Sequence, residues 1–315
     1  LSPNQLAGLL YLGAALGSLP WALRGSIRLP WKLDLKNRVR LAGAVVFGGV
    51  LGPVLVLLGL KAASASSISL WLNLELAATA VLGTLLFRDA LGWRGAASAG
   101  LAVLAAGLLA WEGGSAGWRA GALAGAACVC WGLDNQLTSL IDGISPADST
   151  LWKGARAGLA NLALGLLFWP WRAGPAQAAG ALAVGALCYG ASIMLYIAAA
   201  QRLGATRSQV AFSTAPFFGV VFAMGFLGER LTAVELACGG LFVAALALLA
   251  SERHLHAHRH EAMEHEHAHG HQDGHHDHRH PAGNLAGEHS HRHGHEEREH
   301  AHPHWPDLHH RHRHG

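Results

Sequence analysis

Histidine is missing from the first 253 residues of this 315-residue chain, and charged residues make up only 14% of the whole. The first absence removes the commonest general base from the body of the protein, so no Ser/His/Asp arrangement forms there, and no phosphate-binding loop takes its place. An enzyme is the reading these absences disfavour most. The second absence separates the chain from soluble domains, in which about 25% of residues are charged. Cysteine is scarce as well. Cys128, Cys130, Cys188 and Cys238 lie in apolar stretches with neither C-x-x-C spacing nor an extracellular disulfide pattern. Cys128 and Cys130, two residues apart on a helix, point to nearly opposite faces, which favours small-residue packing over metal ligation.

What is present divides the chain near Ser251. All 23 histidines fall between His254 and His314, in a segment with almost no aliphatic residues from which to build a core. The part before Ser251 holds 16 Lys/Arg and 9 Asp/Glu, net +7, and the tail holds 7 and 11, net −4, which together give the chain's +3. So small a net charge offers no argument for a nucleic-acid partner.

The first 250 residues contain apolar runs of about 20 residues, the length that crosses a bilayer core. Nine are placed, near 5–23, 41–60, 66–87, 94–111, 119–140, 152–171, 178–200, 207–228 and 232–250. Small residues recur in them, as in Gly13-x-x-x-Gly17, Gly48-x-x-x-Gly52 and Gly121-x-x-x-Gly125. In a chain with 40 glycines, chance accounts for any one such spacing. Orientation follows from the loops. Arg24, Arg28, Lys32, Lys36, Arg38, Arg40, Arg88, Arg94, Lys153, Arg156, Arg202 and Arg207 fall on one side, against Lys61, Arg119, Arg172 and Arg230 on the other. Parity places the tail with the basic loops, in the cytoplasm.

Sliding the chain against itself aligns 59–110 with 199–250 without a gap, at an offset of 140 residues. Ala65 matches Ala205, Leu91 matches Leu231, Gly100-Leu101 matches Gly240-Leu241, and Leu108-Leu109-Ala110 matches Leu248-Leu249-Ala250, with Asp89 on Glu229. The copies face opposite ways in the membrane, the inverted-repeat plan of secondary transporters. The second copy owns five helices and the first four. Leu1 is not an initiator methionine and no basic n-region opens the chain. The expectation is therefore a sequence that starts after a first helix.

These segments resemble the EamA domain of the drug/metabolite transporter superfamily, built from two five-helix repeats. The resemblance rests on Phe87-Arg88-Asp89-Ala90-Leu91 and Gly228-Glu229-Arg230-Leu231-Thr232, each followed by an apolar helix with a central glycine, and on Cys130-Trp131-Gly132-Leu133-Asp134-Asn135. It covers almost all of 1–251. A bacterial branch of that family is similar in its Asn73-Leu74-Glu75, Asp134-Asn135, Lys153-Gly154 and Pro306-Asp307-Leu308-His309-His310. The resemblance implies an all-α integral membrane protein with a first repeat over 1–111, a second over 112–251 and a disordered tail over 252–315. The repeats make about nine spans here, or ten with the missing helix. It also implies residence in the bacterial inner membrane.

Ionisable groups at bilayer depth cost several kcal/mol unless they face the bundle interior and find partners. Only Glu75 and Asp134 lie well inside a span. Helical spacing puts Trp71 and Thr79 on the face of Glu75, and Cys130, Trp131 and Thr138 on that of Asp134. Lys153 and Arg156 enter the next helix at a similar depth to Asp134. Glu75, Asp134, Asn135, Lys153, Asn73 and Trp71 are thus the candidates for substrate binding or proton coupling, with the two acids facing a shared interior. The competing account is a static ion pair and hydrogen-bond network that only holds helices together. Pro53 and Pro216 either break their helices to expose backbone groups or mark ordinary kinks. Thr232-x-x-Glu235 reads as a helix capping box.

In the tail, His254, His256, His258 and His260 alternate with other residues, as do His265, His267, His269 and His271, followed by His275, His276, His278 and His280. Such density is the composition of a binder of zinc, nickel, cobalt or copper, with no single closed geometry. The competing account is a solvated tail whose charge rises as pH falls through about 6.5. No cofactor is required by the body. Partners expected are the lipid bilayer, a small-molecule substrate and divalent metal ions, with room for a homodimer and none for nucleic acid. Three functions compete: a secondary transporter of a small polar metabolite, a divalent-metal exporter, and a membrane-anchored metal buffer or sensor. No His or Met cluster lines any span, which weighs against the exporter.

Overall fold

The computed structural model describes residues 1–25, 27–87, 92–112 and 114–251, with four segments of the tail. Arg88, Asp89, Ala90 and Leu91 of the repeat signature lie outside the described residues, as do His254, His271, His275, His276, His278 and His280. The helices are α1 (Pro3–Ala22), α2 (Leu35–Gly59), α3 (Ala65–Phe87), α4 (Trp93–Glu112), α5 (Gly114–Ser139), α6 (Pro146–Phe168), α7 (Pro175–Leu203), α8 (Ala205–Leu227) and α9 (Ala233–Ala250).

Of the nine runs read as spans, six (α2, α3, α4, α7, α8 and α9) are long and apolar enough to cross a bilayer. The other three, α1, α5 and α6, have 20, 26 and 23 residues, so length is not what they lack. They carry Gln5, Asp134, Asn135, Gln136, Lys153 and Asn161, all buried. α1 lies along α6, and α5 packs against α2 and α3. Helix polarity rises where protein, not lipid, surrounds the chain.

The two repeats are visible as an antiparallel pairing of equivalent helices. Ser98 on α4 donates its hydroxyl to the Ala245 carbonyl of α9 at 2.6 Å, and Cys238 on α9 donates its thiol to the Ala105 carbonyl of α4 at 3.3 Å. The offset of 140 turns Ser98 into Cys238 and Ala105 into Ala245, so one bond is the two-fold image of the other. α1 and α6 are paired likewise. Each opens on Ser-Pro, with Ser2 and Ser145 accepting from the N–H of Gln5 and Asp148, and they run antiparallel. Gly8 lies beside Leu162, Gly158 beside Leu12 and Gly165 beside Gln5.

At Gly158 an added Cβ would stand 2.7 Å from the Leu12 backbone nitrogen, and at Gly154 2.8 Å from that of Ala15, so these helices touch backbone to backbone. Replacing Gly158 by Leu should destabilise the bundle by at least ~1–3 kcal/mol, the ordinary cost of overpacking. Thermal unfolding in detergent measures it; an unchanged midpoint would mean that α1 and α6 do not hold this contact. Of the sequence motifs left to chance, Gly13-x-x-x-Gly17 is a true contact: both glycines press on the backbone of α7 around Leu182 and Ala186.

Tryptophans mark both ends of the bundle. Trp21, Trp31, Trp93 and Trp152 belong to the end that carries the tail, and Trp111, Trp118, Trp169 and Trp171 to the other. Arg24, Arg94 and Arg156 lie over the rings of Trp21, Trp93 and Trp152, all at the tail end. The tail adds no layer to the core. Its segments Leu255–His260 and Arg298–Pro303 pair antiparallel, as do Met263–His269 and His289–His295. Two-stranded ribbons of this kind are at most marginally stable alone in water.

Candidate functional site

Among the described residues, four of the nine helices depart from regular geometry, and they do so in repeat-related pairs. α2 contains a π-helical stretch over Ala44–Leu51 and α7 one over Gly185–Gly190, which the offset of 140 nearly superposes. α3 breaks at Leu72–Asn73 and α8 at Ser213–Thr214, one residue apart in the same register. Interrupted helices at matching positions of two halves mark the sites of inverted-repeat proteins.

The break in α2 follows from backbone accounting. The Gly52 N–H reaches back to the Phe47 carbonyl, and Pro53 has no N–H to offer Gly48 or Gly49. Side chains take up the two freed carbonyls. Tyr11 donates its hydroxyl to Gly48 at 2.5 Å, the Trp131 indole donates to the same oxygen at 3.1 Å, and Asn161 donates to Gly49 at 2.8 Å. Of the two readings of Pro53, the helix break is the one found. Pro216 likewise follows directly on the interruption of α8.

Asp134 on α5 meets this irregular segment. Its carboxylate lies against the Gly48 backbone, where no side chain would fit, and forms an ion pair with Lys153 of α6. Thr138, one turn on, donates to the other carboxylate oxygen at 2.9 Å. The Asp134 and Lys153 side chains are 8% and 4% exposed, so the pair is shut off from lipid and water. Arg156, expected at the same depth as Lys153, turns outward onto Trp152 instead.

Asn135 is the next residue of α5, about 100° around the helix, and opens onto the other flank. Its amide nitrogen lies 2.8 Å from Glu75 Oε1, 3.2 Å from Thr79 Oγ1 and 3.0 Å from Gln209 Oε1. Gln136 donates to the Thr79 carbonyl at 3.2 Å. α5 is therefore a polar spine. One flank carries an ion pair against the π segment of α2; the other carries a buried acid held between the two broken helices, α3 from the first repeat and α8 from the second.

Of the residues proposed from sequence, Glu75, Asp134, Asn135 and Lys153 come together along this spine. Asn73 sits in the break of α3, where its amide donates to the Leu70 carbonyl at 3.0 Å. Trp71 goes elsewhere. Its indole donates to the Ala106 carbonyl and its ring fills the apolar core with Ile68, Leu70 and Phe242. The expected shared face of Trp71 and Glu75 presumed a continuous helix, and the turn at Leu72–Asn73 rotates one half against the other. Thr79, beyond the break, keeps its place beside Glu75. Gln209, Tyr11, Trp131 and Asn161 were not among the proposed residues; the glycines before Pro53 signalled freed carbonyls without indicating which distant side chains reach them. Among the described residues no three His, Cys, Asp or Glu side chains converge as a metal site. Cys128, Cys130 and Cys238 are buried in packing, and Cys188 is exposed.

The profile of the EamA-like transporter family matches residues 1–111 and 119–251. No curated protein matches the chain. Among solved structures, a protein crystal structure at 15% identity shares the fold with a TM-score of 0.63, over 80% of this chain and 89% of that one.

Proposed function

The chain belongs to the EamA-like transporter family and is a multi-pass membrane transporter, and from that premise we propose that it moves a small polar metabolite by alternating access between its two repeats. The observation that carries this reading is Asn135. It ties a mid-helix carboxylate of the first repeat, Glu75, to Gln209 of the second, at the level where both α3 and α8 are broken. A group that binds or protonates there acts on both repeats at once. A scaffold would need no carboxylate at that point, since apolar packing holds helices together without the desolvation cost. The substrate-facing groups are Glu75, Asn135 and Gln209, with Asp134, Lys153 and Asn73 shaping the backbone around them. Residues 1–111 and 112–251 act as the two moving units.

The tail is proposed as a cytoplasmic binder of zinc, nickel, cobalt or copper, appended to a transporter of the bacterial inner membrane. Its ladders set His256 opposite His302, His258 opposite His300, His265 opposite His293, His267 opposite His291 and His269 opposite His289. The density of histidine in the tail, with no single closed geometry, supports this reading. A segment outside the bilayer can concentrate ions but cannot form a path through it.

Deleting 252–315 should therefore abolish multivalent zinc or nickel binding by the purified protein and leave flux of the cargo largely intact. The measurement is metal titration, followed by flux in vesicles against a panel of metabolites and metals with both forms. Loss of metal binding together with loss of export of that same metal, and no other cargo, would replace the metabolite reading with a metal exporter.

A further inference from the structure

At the end of the bundle away from the tail, the loop between α8 and α9 grips the start of α3. Glu229 accepts from the backbone N–H of Ala65 at 3.0 Å and of Ser66 at 2.9 Å, one to each carboxylate oxygen. Glu235 Oε2 accepts from the Thr232 N–H at 2.9 Å while the Thr232 hydroxyl accepts from the Glu235 N–H, the capping box read in the sequence. Its other oxygen reaches across to the first repeat, accepting from the hydroxyls of Ser67 at 2.6 Å and Ser66 at 3.4 Å. Just inside, Gly219 of α8 lies against Ser69 of α3, and a Cβ there would stand 3.2 Å from Ser69 Cβ. Partial burial pushes the Glu229 carboxyl up, but the bonds from Ser66 and Ala65 outweigh it and hold the group below the usual carboxylate range. It is anionic at neutral pH, as the contact requires.

In the repeat-related sequence the position of Glu229 is held by Asp89, which lies outside the described residues. Gly95 stands where the offset of 140 places Glu235, and the hydroxyls of Thr206 and Ser208, both buried, have no hydrogen-bond partner among the described residues. The halves of α3 and α8 that meet at the clasped end run into the breaks at Leu72–Asn73 and Ser213–Thr214, where a helix can hinge.

We propose that the first half of α3 and the second half of α8 form a gate at the end away from the tail, latched shut by Glu229 and Glu235, which opens in each transport cycle. The gate rests on the transporter reading given above. The latch joins a partly exposed acid, Glu229, whose bonds water can replace as the halves part, to a buried one, Glu235, 5% exposed, whose bonds to the serines of α3 break only when the halves separate.

The test uses the full chain in detergent with S69C as a reporter of opening, its maleimide labelling followed by mass spectrometry of the peptide that contains it. In an E229Q/E235Q background the labelling rate should rise about tenfold or more, as expected when charged acceptors leave a two-state contact. An unchanged rate with an unchanged melting midpoint would overturn the latch. A second variant, S69C/G219C, guards against misfolding of the first, because its Cβ separation is within a few tenths of an ångström of the disulfide range of about 3.5–4.5 Å. Oxidised, it should stop flux in vesicles, with recovery on reduction; wild-type flux from the fully cross-linked protein would overturn the gate. Faster labelling in E229Q/E235Q with no solute or metal moved by the wild-type chain would instead overturn the transporter reading and leave the gate standing.

Discussion

Replacing Lys153 by Met should cost ~3–5 kcal/mol of folding stability, because it strands the Asp134 carboxylate inside the bundle without its cation. Among the described residues, Thr138 alone would remain to stabilise that charge. The double variant Asp134→Asn/Lys153→Met should recover most of the loss, since removing both charges also removes their desolvation cost. Thermal unfolding of the wild type, Lys153→Met, Asp134→Asn and the double variant in one detergent measures the cycle. A single variant as stable as the wild type would show that Asp134 is not held as a charged partner. The double variant then carries the functional question. If the pair only fastens α5 to α6, a folded double variant transports normally. If the pair fixes the π segment of α2, neutralising it lets Gly48 and its bonds from Tyr11 and Trp131 shift, and flux falls with stability restored.

Much of this arrangement was legible from the sequence because it rests on local signals. Apolar length gave the positions of the helices, the gapless offset of 140 gave the two-fold later seen in the Ser98 and Cys238 bonds, and the rarity of charge within spans singled out Glu75 and Asp134. What was not legible is what depends on backbone irregularity. A helical wheel drawn through Leu72 and Asn73 puts Trp71 beside Glu75, but Asn73 turns its amide onto the Leu70 carbonyl and breaks that wheel. Gln209 lies next to Ser208 and two residues from Arg207, so by composition it reads as an interfacial residue, yet it is buried against Asn135. Tyr11, Trp131 and Asn161 converge on Gly48 and Gly49 from three separate helices, a meeting no sequence spacing encodes.

Glu235 shows how a correct local reading can be incomplete. Its capping box is present as the Thr232-x-x-Glu235 spacing predicts, and the box uses only one carboxylate oxygen. The second oxygen holds the serines of α3, a contact across 168 residues of sequence.

The largest loss of function is expected from Glu75→Gln, with flux down by ~100-fold, the lower range of what a positioned proton-transfer group contributes, and with no loss of fold. The substitution preserves shape and keeps an amide oxygen where Asn135 now donates to Glu75 Oε1, so the bonds among Asn135, Thr79 and Gln209 can persist. What it removes is the ability to carry a charge or exchange a proton. A purely structural acceptor would tolerate that change, and wild-type flux in a Glu75→Gln protein would reduce the residue to one. Glu75→Ala is the informative contrast. It deletes the acceptor as well, leaving an amide hydrogen of Asn135 to compete for Thr79 and Gln209, and an unmade bond at that depth costs about 1–3 kcal/mol. The melting midpoint should therefore fall for Ala and hold for Gln, while flux falls for both. If flux instead tracks the midpoint across the pair, Glu75 acts through packing; if it is lost in both regardless of the midpoint, the charge itself is what the transport cycle uses.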